Sequence, residues 1–442
     1  MTKRYDLIVV GAGPAGLTAA KAARECGLEV ALLERKTDIT NLHRCCGQSL
    51  VSMNEYYFGD IFHFNNEGKR MCFPVNRFSL KYDGPSSNIY SWHFYSPDGH
   101  IVKLGDAKEL KKLGDNGRIA IIHDKEVFFR CLLKEVEKIG VEVFSGTNVT
   151  DVTKTGENVI VEGGGKNFEA TYVIAADGTN SLIAEKMGFN KARDFFCKIS
   201  SKSYYIRNAK IPELEVALSC PDYVKEIPVF MVVFPWINED EINAIFLTLD
   251  PYLNLDEVTD YFMNKHPIYS EWFKGSEETR MFTSVESIYS PIIEPYQDNV
   301  LIAGDAGGTQ EVENTGAMIS GWRAGNAVAT SVIESKVGLK AEGISHYLKW
   351  WKETYIDKYS HEDYVKNFTF SYILSGDDLN YLFSLIKEPL APCFNPYEAL
   401  NLISQAIQQA APTIQQERPD IIPRLAKMAA PLKEIITSIP KS

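Results

Sequence analysis

The chain of 442 residues lacks the features that mark three large functional classes. No apolar run approaches the roughly 20 residues of a membrane-spanning helix. The net charge of -12 argues against nucleic acid as a partner, because phosphate binding needs a basic face. None of the eight cysteines forms a Cys-x-x-Cys pair, so no zinc or iron–sulfur site is predicted. Eight free thiols favour a reducing cytoplasm.

What is present is typical of a large globular protein. Hydrophobic residues make up 45% of the chain and charged residues 24%, which is ordinary for a soluble fold. The length is sufficient for two or three domains with a large core. Lys3 and Arg4 precede an apolar run, as in a signal peptide, but a glycine motif follows at once. The run is therefore predicted to be the first strand.

The first 35 residues carry the strongest local pattern. An apolar run at 5–10 predicts a buried strand, residues 11–16 read Gly-Ala-Gly-Pro-Ala-Gly, and a helix pattern follows as far as Gly27. A second strand at 30–33 ends at Glu34. In this order the elements predict a dinucleotide site, in which the glycines allow a tight turn, approach to a pyrophosphate and close helix packing. The helix amides face the phosphates, and Glu34 is placed to accept a hydrogen bond from a ribose hydroxyl.

Two later strands also end in an acid beside a glycine. The apolar run at 173–176 leads into Asp177-Gly178, and the run at 299–303 leads into Gly304-Asp305. A helix is predicted after the second of these, from about 316 to 335. Because ligands bind at the carboxyl ends of strands in open α/β sheets, both segments are candidates for the same site.

Between these motifs the pattern alternates between α/β and β-rich segments. The fold class predicted is α/β, a Rossmann-like nucleotide-binding domain with a β-rich substrate domain inserted and a helical C-terminal region. The boundaries are a nucleotide-binding domain at 1–82, 118–190 and 291–340, a β-rich insertion at 83–117, an antiparallel-sheet substrate domain at 191–290, and a helical region at 341–442.

The last segment, 421–439, places apolar residues at helical spacing, although Pro431 must kink or split it. Arg424, Lys427 and Lys433 lie among them. Two interpretations are open: a helix on a membrane surface, or packing on the body of the protein or on another subunit.

Residues 44–48, Arg-Cys-Cys-Gly-Gln, form an unusual segment. An arginine beside two cysteines favours a reactive thiol. The alternative is a pair of loop cysteines that merely pack. The residues alone leave both open.

The glycine motif at 11–16, Asp177-Gly178 and Gly304-Asp305 together resemble the flavoprotein superfamily of p-hydroxybenzoate hydroxylase and the geranylgeranyl reductases. The resemblance covers roughly residues 1 to 350. It implies FAD as cofactor, with the first motif at the ADP half, Asp177 near the pyrophosphate and Asp305 on the ribityl chain.

Two further segments are similar to the geranylgeranyl reductase branch. Cys46-Gly47 matches its Cys-Gly-Gly segment, with Gln48 replacing the second glycine. Phe234-Pro235 matches its Trp-x-Phe-Pro segment, with Val232 where tryptophan is usual. The chain departs from the family at four further positions.

Lys125 replaces the family's arginine, Val312 replaces its proline, and Thr315 and Ala317 replace its glycines. FAD binding is still expected, because Gly316 and the start of the helix remain.

The resemblance implies an FAD-dependent oxidoreductase that reduces or dehydrogenates carbon–carbon double bonds of an apolar, isoprenoid-like or conjugated substrate by hydride transfer at flavin N5. Cys46 is the candidate proton relay. Glu311 and Glu313 are candidate proton donors, with solvated loop carboxylates as the alternative. The residues expected to contact FAD are Gly11, Gly13, Ala15, Gly16, Glu34, Arg35, Arg44, Cys45, Lys125, Asp177, Gly178, Gly304, Asp305, Gly316 and Ala317.

Two rival functions share these motifs. One is a flavin-dependent aromatic monooxygenase, which needs oxygen and NAD(P)H. The other is an electron-transfer dehydrogenase with a ferredoxin or quinone partner. A halogenase is disfavoured, since no Trp-x-Trp pair occurs. NAD(P)H or a ferredoxin-type protein is the expected reductant. Peripheral membrane contact and a homo-oligomer stay open.

Overall fold

The computed structural model describes residues 3–51, 53, 55–308, 313–359 and 369–438. Two large sheets organise this part of the chain. The first is built on parallel strands and contains the glycine motif, and the second is almost entirely antiparallel. The predicted α/β class, with a β-rich domain and C-terminal helices, is confirmed.

The first sheet has a parallel core. In spatial order its parallel strands are Glu142–Phe144, Val30–Leu33, Arg4–Val10, Lys166–Ala175 and Val300–Ile302. An antiparallel pair, Val149–Thr155 and Asn158–Gly163, extends the sheet along Lys166–Ala175. Tyr296–Gln297 pairs with Val300–Ile302. The parallel strands are short apolar runs, mostly buried, as parallel strands covered by other elements require.

Three helices pack on this sheet. The first helix, Pro14–Glu25, begins directly after the glycine motif, and Lys125–Lys138 begins at Asp124, whose side chain caps the amides of Glu126 and Val127. The long helix, Glu313–Lys336, lies against the first helix. Gly321 allows this contact, since a Cβ there would lie 2.1 Å from the carbonyl oxygen of Ala15. The carboxyl ends of the central strands are therefore flanked by two helix starts.

Between the strands Val30–Leu33 and Glu142–Phe144 of the parallel sheet, the chain forms three small sheets. They are Ser49–Leu50 with Ala120–His123 and Ser86–Ile89, His63–Asn65 with Arg70–Phe73 and Phe78–Lys81, and the pair Tyr56–Tyr57 and Asp60–Ile61. The β-rich character predicted for 83–117 thus begins earlier, from residue 49, where short strands between turns had offered the weaker signal.

The second sheet has seven strands among the described residues. In spatial order they are Ile101–Leu104, Ser91–Tyr95, Val216–Val224, Ile227–Pro235, Glu241–Thr248, Phe195–Arg207 and Glu277–Tyr289. Only Ser91–Tyr95 and Val216–Val224 pair in parallel. Leu255–Asp260, a π-helical turn at Tyr261–Lys265 and Ser270–Phe273 pack in one apolar cluster with this sheet.

The C-terminal helices pack in a second cluster on the same sheet. They are Gly376–Ser384, Ala399–Gln409, Ala411–Glu417, Ile422–Lys427 and Leu432–Ser438. The helix Gly343–Trp351 instead packs with the long helix in the cluster of the parallel sheet. The last two described helices are separated at Pro431, as the sequence predicts. Ile421, Leu432 and Ile435 are buried in the cluster, so this segment packs on the body of the protein rather than lying free.

The described helices do not include one that is both long enough and apolar enough to cross a membrane. All eight cysteines lie in the described part of the chain and are free thiols.

Candidate functional site

A cleft at the carboxyl ends of the parallel strands brings the three predicted motifs together. The residues of the prediction that line it share this position at strand ends or helix starts. They are Gly11, Gly13, Ala15, Glu34, Arg35, Arg44, Lys125, Asp177, Gly178, Asp305 and Ala317. Segments almost 300 residues apart in sequence therefore form one surface, as the rule for ligand sites in α/β sheets predicts.

The glycines of the first motif have different surroundings. A Cβ at Gly11 would lie 2.3 Å from the carbonyl oxygen of Ala176, and one at Gly16 would lie 1.8 Å from that of Gly11. Gly16 therefore packs against the glycine loop and does not line the cleft. At Gly13 and Gly178 no described atom lies within 4 Å of a Cβ. These two positions leave open space at the cleft, as approach of a pyrophosphate to the backbone requires.

Glu34 fixes the glycine loop to the end of the second strand. Its carboxylate is buried and accepts hydrogen bonds from the amides of Ala12 at 2.7 Å and Lys36 at 2.9 Å. The side chain still lines the cleft, where it is placed to meet a ribose.

Four cationic side chains are among those that line the cleft: Arg35, Lys36, Arg44 and Lys125. Lys36 donates to the carbonyl oxygen of Ile39 at 2.8 Å, and burial lowers its pKa. The sequence prediction missed Lys36, although its position directly after Glu34 and Arg35 was a signal. Together these groups favour an anionic ligand, such as the pyrophosphate of a dinucleotide.

The acid of each of the two later motifs is held by polar contacts, local ones for Asp177 and a long-range one for Asp305. Asp177 accepts from the Ser181 hydroxyl at 2.6 Å and from the Ile183 amide at 3.2 Å, and burial raises its pKa. Asp305 lies 3.2 Å from a guanidinium nitrogen of Arg44, which also faces Glu286 at 3.8 Å.

Gly304, beside Asp305, is buried behind the cleft. Its amide donates to the Ser320 hydroxyl at 3.0 Å, and a Cβ at this position would lie 2.8 Å from that of Ala15. The end of the Val300–Ile302 strand is thereby joined to the long helix.

A second, apolar cavity adjoins the cleft on the side of the seven-stranded sheet, and we call it the sheet cavity. It contains about 1220 Å³ of empty space, its open mouth included. Its walls are largely aromatic and aliphatic. They are Val51, Trp92, Phe94, Ile199, Pro221, Phe230, Val232, Phe234, Ile245, Leu247, Phe370, Phe394 and Pro396, with Cys45, Cys46, Gly47, Ser49, Ser201, Ser219, Glu286 and Glu313 as the remaining lining.

Cys45 belongs to this cavity and not to the cleft. Its thiol is buried and donates to the carbonyl oxygen of Phe282 at 3.2 Å. Its predicted contact with the cofactor therefore has no support from the lining of the cleft.

Cys46 lies at the border between the cleft and the cavity. Its Sγ accepts from Lys125 Nζ at 3.5 Å, from the Gln48 amide at 3.3 Å and from the Asn314 side chain at 4.0 Å. Lys125 lines the cleft, whereas Cys46 lines the cavity. The thiol is thus placed where groups bound in the two spaces would meet.

The neighbours that position Cys46 come from distant parts of the chain. The Asn243 side chain donates to the Cys46 carbonyl oxygen at 2.8 Å, and Asn314 also donates to the Ser49 carbonyl oxygen at 3.0 Å. Gln48 has a φ of 54°, and its side chain accepts from the Lys125 amide at 2.7 Å and bonds the Tyr205 hydroxyl. The sequence prediction assigned none of these three side chains to the site.

The two segments that resemble the reductase branch are in contact. A Cβ at Gly47 would lie 2.7 Å from a ring carbon of Phe234. Glycine is required here because the aromatic ring occupies the space of a side chain. Val232, two residues away on the same strand, lines the same cavity.

The start of the long helix separates the two spaces. Glu313, with a φ of 58°, lines the apolar cavity, and Ala317, one turn later, lines the cleft. Gly316 is buried within the helix. Glu311 and Val312 lie outside the described residues. In the described ranges, no cluster of three or more His, Cys, Asp or Glu side chains is arranged to hold a metal.

Comparison with known proteins gives two family matches. Residues 98–309 match the FAD binding domain, and residues 5–85 match the pyridine nucleotide-disulphide oxidoreductase family. A digeranylgeranylglycerophospholipid reductase from Methanocella arvoryzae is 31% identical over 196 residues, 43% of each chain. One from Methanococcus vannielii is 24% identical over 398 residues, covering 88% of this chain and 92% of the relative. The chain is therefore similar to digeranylgeranylglycerophospholipid reductases over most of its length, and nearly half of it matches an FAD binding domain.

Solved structures share the fold of this chain. A geranylgeranyl bacteriochlorophyll reductase-like protein from Thermoplasma acidophilum superimposes with a TM-score of 0.70 at 20% identity, covering 97% of this chain and all of that one. The match to the Methanocella relative spans less than half of that protein's length.

The cofactor is FAD, and the cleft fits it. Open space at Gly13 and Gly178, two helix starts and four cationic side chains are what an elongated dinucleotide with a pyrophosphate requires. The roles of the individual lining residues stay predictions.

Proposed function

We propose that this protein is an FAD-dependent oxidoreductase that reduces carbon–carbon double bonds of an apolar isoprenoid chain. The observation that carries the proposal is the apolar cavity that opens beside the FAD cleft, with Cys46 at their border. Bound FAD supplies the hydride that such a reduction needs. The names of the curated relatives, which specify geranylgeranyl chains, support this class of substrate.

The cleft residues bind and orient the cofactor. The amides at the start of the first helix and the cations Arg35, Lys36 and Lys125 bind the pyrophosphate. Arg44 holds Asp305 in position for the ribityl chain through their 3.2 Å ion pair. The free amides in the first turn of the helix Glu313–Lys336, up to Gly316, stabilise negative charge at the flavin ring.

The cavity residues bind the substrate and move the proton. The aromatic and aliphatic walls exclude water and hold an apolar chain. Cys46 donates a proton to the substrate carbon that does not receive the hydride, and Lys125 Nζ, 3.5 Å away, compensates the charge that develops on sulfur. Glu313 is the second acid on the cavity wall and the alternative donor.

We also propose a reducing cytoplasm as the location, since eight free cysteines favour it. NAD(P)H or a ferredoxin-type protein is the proposed source of electrons.

The test uses the FAD-loaded protein under anaerobic conditions. The flavin is photoreduced, and its reoxidation is followed by absorbance after addition of geranylgeraniol or of its saturated analogue. We expect the unsaturated alcohol to reoxidise the flavin with formation of a reduced product, and the saturated one to have no effect. Reoxidation only by oxygen, with hydroxylation of an aromatic compound, would establish the monooxygenase instead.

A further inference from the structure

A third space lies among the C-terminal helices and has no role in the site described above. It contains about 1470 Å³ of empty space, its open mouth included. Its lining is apolar with a few neutral polar side chains, and none of the described residues that line it carries a charge. They are Thr369, Phe370, Ile373, Tyr397, Leu400, Asn401, Ser404, Ile407, Gln408, Ala411, Ile414, Gln415, Ile422, Leu425, Met428, Ala429 and Ile435.

This helical cavity and the cavity on the sheet share a wall. Phe370 lines both, and the adjacent residues Pro396 and Tyr397 line one each. The Phe370 ring meets the ring of Phe230 edge-on, with centroids 6.2 Å apart. Phe230 is itself part of the sheet cavity. Phe370 therefore forms part of the wall between the cavity beside the cleft and the space among the helices.

The sheet cavity has the flavin cleft at its other end. Cys46 and Glu313 mark the reactive end, and Phe370 lies on the wall shared with the helices. A short apolar substrate fits within the sheet cavity, and a longer chain whose double bond lies near Cys46 reaches the helical cavity if it continues past Phe370. The uncharged lining of the helical cavity suits the remote part of such a chain, because each buried methylene contributes to binding.

We propose that the helical cavity is a second binding subsite, which takes the remote end of the same isoprenoid chain and makes the enzyme select long chains. Phe370 is then the point that a chain must pass to reach from one cavity to the other. This inference rests on the proposed function for the identity of the ligand, but its test measures binding separately from reduction.

The helix Ala399–Gln409 offers a matched pair of variants. Leu400, Ser404, Ile407 and Gln408 face the cavity, whereas Gln405 is exposed and does not line it. Ser404→Trp fills the cavity from this wall, and Gln405→Trp adds the same side chain on the outer face. A second pair comes from residues 422–429, where Ala429 and Ala426 are both exposed but only Ala429 lines the cavity.

Binding is measured on the FAD-loaded protein by displacement of Nile red with geraniol, of ten carbons, and geranylgeraniol, of 20 carbons. We expect the parent protein to bind the longer alcohol at least 30-fold more tightly. Ser404→Trp and Ala429→Trp should weaken binding of geranylgeraniol at least tenfold and leave that of geraniol within twofold. Gln405→Trp and Ala426→Trp should change neither.

Two results would overturn the subsite. Equal loss of both alcohols in Ser404→Trp and Ala429→Trp would show a structural effect, and unchanged binding of geranylgeraniol would show that the cavity is not used. Failure of the proposed function has a different signature. In that case neither alcohol reoxidises the reduced flavin of the parent protein, whatever the binding data show.

Discussion

Cys46 owes its position to contacts that span most of the chain. Lys125, Asn243 and Asn314 approach it from three different elements, at separations of 79, 197 and 268 residues. The adjacent residues Cys46-Gly47 were enough to single out Cys46 as a candidate, and the structure places it at the border between the cleft and the cavity. The side chains that position it could not be predicted, since no local pattern records which distant residue folds against a loop.

Replacement of Cys46 by serine tests the proton relay. A hydroxyl is a much weaker acid than a thiol, so we expect kcat for alkene reduction to fall at least tenfold while FAD content stays unchanged. The measurement is anaerobic reoxidation of the photoreduced flavin by geranylgeraniol. Cys26→Ser is the control and should retain full activity, because Cys26 is exposed at the C-terminal end of the first helix. Unchanged turnover in Cys46→Ser would exclude the relay and favour Glu313.

Lys125 offers a second test at the same contact. Its Nζ is 3.5 Å from Cys46 Sγ, so Lys125→Met removes the cation that compensates charge on sulfur. We expect turnover at saturating FAD to fall about tenfold, equivalent to about 1.4 kcal/mol in the barrier. Lys125→Arg keeps the positive charge and introduces the arginine that the family usually has at this position. This variant should recover most of the rate. Equal losses in both variants would mean that the length of the lysine side chain matters and its charge does not.

The long helix Glu313–Lys336 shows what can be read from the sequence of an element and what cannot. Its apolar pattern and the preceding Gly304-Asp305 predicted a helix from about 316 to 335, within a few residues of the observed bounds. Its contact with the first helix was not predicted. Gly321 and Gly325 are separated by one turn and approach the carbonyl oxygens of Ala15 and Ala19, a spacing that was visible but has many other causes.

Gly321→Ala tests this contact by the sign of its effect. An alanine in a helix interior is more favourable than glycine by up to about 1 kcal/mol, so without the contact the variant would be more stable. The Cβ would lie 2.1 Å from a backbone oxygen, and we therefore expect a loss of about 1–3 kcal/mol in the free energy of unfolding. FAD affinity should also fall, because the first helix carries the phosphate-binding amides. Thermal unfolding and flavin release measure both effects.

Ser335→Ala, at an exposed position near the end of the same helix, serves as the control and should change stability by less than about 0.5 kcal/mol. A more stable Gly321→Ala variant would contradict the close packing of the two helices.

At the scale of the whole molecule, the order of elements was predictable because strand, glycine and acid recur at each part of the parallel sheet. The places where an inserted segment joins one of the two large sheets were harder to predict. The strands Ser91–Tyr95 and Ile101–Leu104 join the large sheet, although their local pattern suggested only a β-rich insertion. The helical cavity depends on how residues 369–435 pack as a group, and periodicity within one helix does not determine such a space.

The acid stability of the whole molecule depends on buried histidines. His93, on the strand Ser91–Tyr95, is fully buried, and neither ring nitrogen has a hydrogen-bond partner among the described residues. Burial, with a smaller effect of Lys103, lowers its pKa to about 4, and burial lowers that of His123 to about 3. An unfolded histidine titrates near 6.5. Between these values the unfolded chain binds more protons than the native one, so stability must fall as the pH falls.

His93→Gln should therefore make the protein less sensitive to acid. From the shift of His93 alone, the free energy of unfolding is expected to lose about 2 kcal/mol between pH 7.5 and 5.0, and the variant should not show this part of the loss. Urea unfolding of both FAD-loaded proteins at the two pH values gives the comparison. The size of the pH effect is the readout, since the substitution also changes stability at neutral pH. A variant with the same pH dependence as the parent protein would show that His93 takes up its proton as readily in the folded state as in the unfolded one.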